Sequence, residues 1–204
     1  MRVLGRSPFL GLEVLLMLAL VSAVVSASAA GPQQNAVHRR QVKIAIDNFI
    51  LTDQSGKTFE FKSLNGKVAI VAFAYTTCPD VCPLITAAMR QVQSSLGAAE
   101  RKNVQLLTVT TDPEIDGPKV LANYAKRYDA ELDSWSFLTG DALTLKKVWK
   151  NFGVGVKHKG RGLVDHTPLT AIVDQQGFLR FAYIGPSPDK NLVLHDVRSL
   201  LARR

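Results

Sequence analysis

Cysteine is nearly absent from this chain: of 204 residues, only Cys78 and Cys82 carry a thiol. Any bridge, redox couple or soft-metal site must therefore be built from this one pair. No cysteine follows the N-terminal apolar leader, so a lipid-anchored lipoprotein is not expected. No internal repeat and no interior linker divide the rest, which reads as one domain. Despite a formal net charge of +8, no basic stripe is interleaved with aromatics, which argues against a nucleic-acid partner. Arg39, Arg40, Lys146, Lys147, Lys157, Lys159, Arg161, Arg203 and Arg204 are scattered. They read as a solvated surface suited to acidic partners or anionic lipid headgroups.

A long apolar run is missing too. Val14 to Val25 is almost unbroken, but Glu13 interrupts the stretch, leaving it short of the roughly 20 residues of a spanning helix. Arg2 and Arg6 precede it and Ala27-Ser28-Ala29 follows, the layout of a cleavable signal. Residues 1–29 are expected to be a signal peptide or membrane anchor, 30–43 a flexible tether, and 44–204 the folded domain. In either case the folded part is exported.

Within that domain, Phe49 to Thr52 and Phe59 to Phe61 flank Asp53-Gln54-Ser55-Gly56, a β-hairpin pattern. Val68 to Tyr75 is continuously apolar, as a strand covered on both faces is, and Val104 to Val109 reads as a second buried strand. Ile85, Met89, Val92 and Leu96 recur at helical spacing, with Gly97 at the stop. Val120, Tyr124 and Tyr128 mark a second helix. Trp135 to Leu138 is a short strand, followed by a helix over Ala142 to Phe152. Leu169 to Val173 and Phe178 to Tyr183 form a terminal hairpin around Asp174 to Gly177, and Pro188 to Leu201 a last helix. This order predicts an α/β fold, a thioredoxin-like central sheet flanked by helices, with an N-terminal β-hairpin and inserted segments. In such open sheets chemistry gathers at the carboxyl ends of the parallel strands, and Cys78 follows one.

Cys78-Pro79-Asp80-Val81-Cys82-Pro83 places Cys82 in the first turn of a helix capped by Asp80, with Cys78 in the loop before it. Free N–H groups and the helix dipole lower thiol pKa there, and thiolate is the form that attacks disulfides and binds soft metals. A disulfide needs sulfurs about 2.05 Å apart, whereas two thiolates sharing a metal stand nearer about 4 Å. A three-residue spacer accommodates both. A purely structural bridge remains an option in an exported protein, although closing so short a loop stabilises little.

The second clue is Asp165-His166-Thr167-Pro168, in the loop that enters the terminal hairpin and so faces the cysteines in this kind of sheet. His166 can supply an imidazole to a metal held by both thiolates; its plainer alternative is a loop histidine bonded to backbone. His38 (tether), His195 (exposed side of the last helix) and His158 (basic loop) have no position facing the thiols. Two thiolates and an imidazole suit Cu(I) and, with a further weak ligand, Cu(II). Structural zinc normally takes four protein ligands.

Taken together, the six-residue cysteine motif and the distant Val164-Asp165-His166-Thr167 resemble the Sco/SenC family of copper-binding proteins. Thr111-Asp112-Pro113-Glu114-Ile115-Asp116, the segment from Trp135 to Gly140 and the closing hairpin with Gly177 fall in the expected order, from about Ile44 to the C-terminus. The resemblance implies a thioredoxin-like domain, usually membrane-tethered, in the bacterial periplasm. It implies a role in assembling the CuA centre of cytochrome c oxidase by delivering copper, by reducing the target's cysteines, or both. The implied partners are the CuA-bearing oxidase subunit, other copper chaperones and a membrane surface. Cys78, Cys82 and His166 would be the copper ligands. In a thiol–disulfide reductase Cys78 and Cys82 alone would be catalytic. Asp165 would at most orient the site, and Asp112 and Asp116 are either site-adjacent or simple turn and cap residues around Pro113.

Two features depart from the family pattern. Val156 to Leu163 is short and basic where many relatives carry a longer, more acidic loop, and Pro168 directly follows Asp-His-Thr. The Thr167–Pro168 bond is expected to be cis. A peroxiredoxin-type peroxidase shares the fold, but Tyr75 stands where those enzymes resemble one another in a threonine, and no arginine completes such a site.

Overall fold

The computed structural model describes residues 37–160 and 162–203. Ten strands and five α-helices follow in the order β1 (His38–Ala45), β2 (Ile50–Asp53), β3 (Thr58–Glu60), β4 (Val68–Ala74), α1 (Val81–Ser95), α2 (Ala98–Arg101) and β5 (Val104–Thr110). Then come α3 (Pro118–Arg127), β6 (Trp135–Thr139), α4 (Ala142–Asn151), β7 (Val156–His158), β8 (Val164–His166), β9 (Leu169–Val173), β10 (Phe178–Ile184) and α5 (Lys190–Leu201). A 3₁₀ turn, Phe61–Leu64, links β3 to β4.

Eight strands form one sheet in the order β1-β10-β9-β4-β5-β6-β2-β3, and β7 and β8 make a separate two-stranded ribbon. The β4–β5 and β5–β6 pairs are parallel; β9 closes antiparallel on β4. This is the expected thioredoxin-like α/β layout, and the hairpin β2–β3 attaches at the far edge through β6.

The parallel strands β4 and β5 are buried along their whole length because both faces are covered. Alternating side chains of β4 go to opposite sides. Ile70 and Ala72 join Ile85, Met89 and Val92 of α1, Tyr124 of α3 and Val193 and Val197 of α5. Val71 and Phe73 join Leu145, Val148 and Trp149 of α4, with Phe49, Phe61 and Phe152. Two indole N–H groups tie neighbouring elements: Trp149 Nε1 of α4 donates to Thr110 O at the end of β5 at 3.0 Å, and Trp135 Nε1 of β6 to Thr108 Oγ1 of β5 at 2.9 Å.

Several expectations need correction. Residues 38–43, expected to be tether, lie in β1, which pairs antiparallel with β10. This strand carries no hydrophobic alternation because nearly all of it is exposed; backbone hydrogen bonds, the partly buried Val42 and a half-buried ion pair between Arg39 and Asp196 hold it. The rest of the expected tether and the leader lie outside the described residues. The basic stretch expected as a loop is the β7–β8 ribbon. The Thr167–Pro168 bond is trans. Thr167 N donates to Gly155 O and Pro168 O accepts from Gly185 N, which carries the chain extended into β9.

Candidate metal and thiol site

Chain reversal at the end of β4 creates the site. After Ala74 the backbone turns through Thr76 and Thr77, and Cys78 N donates to Tyr75 O. Cys82 falls in the first turn of α1, as expected. Asp80 occupies the N-cap position, but its side chain makes no cap hydrogen bond. The sulfur of Cys78 takes that place, accepting from Cys82 N at 3.5 Å. The cap is thus the reactive group itself, which couples helix geometry to thiol chemistry.

Asp116 supports the turn from below. It is fully buried, its pKa raised chiefly by desolvation. Its carboxyl accepts from Thr76 N at 3.1 Å, from Thr76 Oγ1 at 2.5 Å and from Thr110 Oγ1 at 2.6 Å. It therefore ties the ends of β4 and β5 to the cysteine loop. The sequence motif gave equal weight to a site-adjacent and a plain turn role for Asp112 and Asp116; the structure separates them. Asp112 is a turn residue, whose backbone carbonyl accepts from Ile115 and Asp116, while Asp116 holds the loop that presents Cys78.

His166 comes from the other side, at the end of β8. Its Nε2 lies 3.4 Å from Cys82 Sγ, across 84 residues of sequence. Its Nδ1 lies 3.1 Å from the carbonyl oxygen of Thr167. A carbonyl only accepts, so Nδ1 carries the proton and Nε2 turns its lone pair toward the sulfur. Burial, partly offset by the Thr167 carbonyl and Cys78, holds the imidazole below its usual pKa and so neutral near pH 7. Asp165 does not orient it: that carboxylate is exposed and pairs with Lys159. Nor do the other histidines approach the thiols. His158 lies 3.9 Å from Asp112, and His195 is exposed beside Asp196.

Tyr75 has a role that its place in the sequence does not announce. Its hydroxyl accepts from Val164 N at 3.2 Å, and its ring meets that of His166 edge-on at 6.0 Å between centroids. It pins the β7–β8 ribbon over the cysteine loop; only the ribbon's register, which no sequence pattern announced, reveals this. A small apolar shell of Ala74, Tyr75, Cys82 and Val164, with Cys78, Val81 and Val156 against it, walls the site.

The two thiols are electrostatically unequal. Cys78 is lowered to about 5, first by the Cys82 thiol that donates to it and then, against a desolvation cost, by the N–H groups of Asp80 and Cys82 and the Tyr75 hydroxyl. Cys82 is pushed up by its contact with Cys78 and by burial. Both are unbridged. The pair can therefore act as a thiolate nucleophile with a protonated partner, or as two soft ligands beside a neutral imidazole. Among the described residues no three such side chains form a preassembled metal cluster; what is preassembled is the Cys82–His166 contact and the Cys78–Cys82 pair. Alkylation by iodoacetamide will check the asymmetry. A lowered pKa means that thiolate accumulates as pH rises through about 5, so the Cys78 rate is expected to level off well below neutrality. An ordinary midpoint near 8.5 would refute it.

Comparison with known proteins gives a consistent picture. The SCO1/SenC family model matches residues 37–202. A SCO1 protein homolog of Bacillus subtilis is 38% identical over 95 residues, covering 47% of this chain and 49% of its own length. This chain thus aligns with about half of that relative. The structure is similar to that of BsSco, described as a member of the Sco family of cytochrome c oxidase assembly proteins with a disulfide switch. That likeness has a TM-score of 0.71, 29% identity, and coverage of 81% of this chain and 98% of the other. It is also similar to ScoI of Bradyrhizobium japonicum with copper bound, with a TM-score of 0.66, 31% identity and coverage of 77% and 99%.

Proposed function

Because the chain belongs to the SCO1/SenC family, we propose that it binds copper through the Cys78 and Cys82 thiolates and the His166 imidazole and delivers it to the CuA centre of cytochrome c oxidase. The observation that carries this reading is the 3.4 Å approach of Cys82 Sγ to His166 Nε2, with the lone pair of that nitrogen free. Two sulfurs and one neutral nitrogen form a soft set that suits Cu(I), and Cu(II) with a further weak ligand. The copper-bound Bradyrhizobium relative supports the choice of metal. Copper is here the cargo, and the chain's own part is to hold it, exclude water with the Tyr75–Val164 wall and release it to acceptor thiolates. The acceptor is the CuA-bearing subunit, with other copper chaperones as donors. The protein works in the periplasm, residues 1–29 serving as signal or inner-membrane anchor and the segment up to β1 as tether.

A second reading uses the same thiols to reduce a partner's cysteines. The unequal pair favours it: Cys78 attacks as thiolate, and Cys82 then resolves the mixed disulfide. The disulfide switch described for BsSco is in keeping with it. Only copper binding requires His166. Anaerobic Cu(I) titration of reduced wild type beside His166→Ala separates the two. The variant is expected to lose affinity by more than the roughly 10–100-fold typical of removing an outer-shell partner, with thiol exchange intact. Unchanged copper binding would remove His166 from the ligand set.

A further inference from the structure

Charge is distributed unevenly around the thiols. Between Asp141 and Asp165 the chain carries Lys146, Lys147, Lys150, Lys157, Lys159 and Arg161 and no aspartate or glutamate. The fold brings this stretch beside the site. Lys146, Lys150 and His158 line one open concavity of about 480 Å3 with Trp149 and Val156. Trp149 is bonded to the carboxyl end of β5, and His158 pairs in register with Val164, two residues before His166. Among the described residues Lys159 is paired with Asp165, whereas Lys146, Lys147, Lys150 and Lys157 are exposed and make no ion pair.

Three exposed apolar side chains stand on segments that reach the cysteine loop beside this concavity. Leu84, Ile115 and Leu163 are 49%, 45% and 44% exposed. Single exposed aliphatics are ordinary, but these belong to three separate segments that meet at the cysteine loop. Leu84 stands two residues after Cys82. Ile115 precedes Asp116, which holds Thr76. Leu163 precedes Val164, which is bonded to Tyr75.

We propose that these exposed apolar side chains and their cationic flank form a docking surface for an acidic protein domain that brings its own thiols to Cys78 and Cys82. The inference rests on the copper-delivery reading and adds the face that is used and the charge of the partner. The arrangement is that of a transient interface, apolar at the centre and charged at the rim. The lysines steer encounter over about a Debye length, and Leu84, Ile115 and Leu163 lose water only once the domains touch. Anionic lipid would attract the same lysines, but a membrane lying on this face would cover the thiols.

The probe is the soluble CuA-bearing domain of the cognate oxidase subunit, metal-free and reduced, mixed with the reduced full chain. Lys146→Glu/Lys150→Glu/Lys157→Glu is expected to slow association about tenfold or more at low salt, the difference fading as salt rises. Leu84→Ser is expected to speed dissociation several-fold with the salt dependence unchanged. Identical rates and salt slopes in the charge variant would overturn the proposal, as would binding to phosphatidylglycerol vesicles with none to the domain. Copper titration of the same preparations keeps the two readings apart. Wild type that takes up no copper refutes the ligand set, whereas full copper uptake without domain binding refutes the docking surface.

Discussion

Protein whose Cys78 and Cys82 have been joined in a disulfide is expected to take up no Cu(I) until it is reduced. Cys78 lies in the loop before α1 and Cys82 in its first turn, and the Cys78 sulfur already accepts from Cys82 N. Oxidation removes two electrons and two protons and draws the sulfurs to about 2.05 Å. Neither sulfur is then a thiolate, and the pair no longer spans the roughly 4 Å that two bonds to one metal require. His166 alone cannot compensate, because a single imidazole offers one borderline donor. The effect should be all or none: no copper retained against a competing chelator by the oxidised form, and full uptake after addition of a thiol reductant. Tight stoichiometric uptake by fully oxidised protein would contradict the thiolate assignment. The same gate reconciles the two functional readings, since a molecule cannot hold a Cys78–Cys82 disulfide and thiolate-bound copper at the same moment.

Asp196→Ala is expected to lower folding stability by about 3 kcal/mol, the range for breaking a buried, hydrogen-bonded ion pair. Asp196 lies on the inner face of α5 and is 1% exposed. Arg39 of β1 grips it with Nε and Nη2, each at 2.7 Å, and the fully buried Tyr183 of β10 donates its hydroxyl to the same carboxylate. The Arg39 guanidinium also stacks 4.6 Å above the Phe181 ring. Alanine would leave a half-buried cation without its acceptor and a buried phenol with only the longer bond to Leu192 O at 3.3 Å, and β1 would lose its ion pair to the helical layer. Urea denaturation at neutral pH measures the loss.

The acid limb of the stability profile offers a second check. Burial alone would raise the Asp196 pKa, but Arg39 and Tyr183 outweigh it and hold the carboxyl below its usual range. The unfolded chain therefore binds this proton first as pH falls. The stabilisation is complete above the ordinary aspartate value of about 3.9 and is lost as pH falls through the native value. The stability gap between wild type and Asp196→Ala should begin to narrow below about pH 4 and go on narrowing as pH falls toward the native value. A constant gap down to pH 2 would mean that the pair's charge contributes nothing.

Much of the site was legible because its chemistry is written in rare residues at short spacing. With only two cysteines, the position of Cys82 in the first helical turn followed from an apolar run, a spacer and Pro83. His166 followed from its place before the strand Leu169–Val173. The roles of Asp116 and Tyr75 were not legible, because Asp116 acts on Thr76, 40 residues away, and Tyr75 on Val164, 89 residues away, through hydrogen bonds that leave no periodic trace. The strand β1 was hidden for a related reason: backbone pairing to β10 needs no side-chain alternation, and its ion pair, Arg39 to Asp196, spans 157 residues.

The sequence by itself determined the layered α/β order, the family resemblance and the identity of the soft donors, because buried strands, helices and a cysteine pair all imprint local patterns. Only the tertiary structure decided which carboxylate supports the cysteine loop, that the Cys78 sulfur caps its own helix, that the Thr167–Pro168 bond is trans, and that a lysine-rich stretch without acids borders the thiols. Those outcomes depend on where distant segments cross, and long-range contact is the one thing a local pattern does not encode.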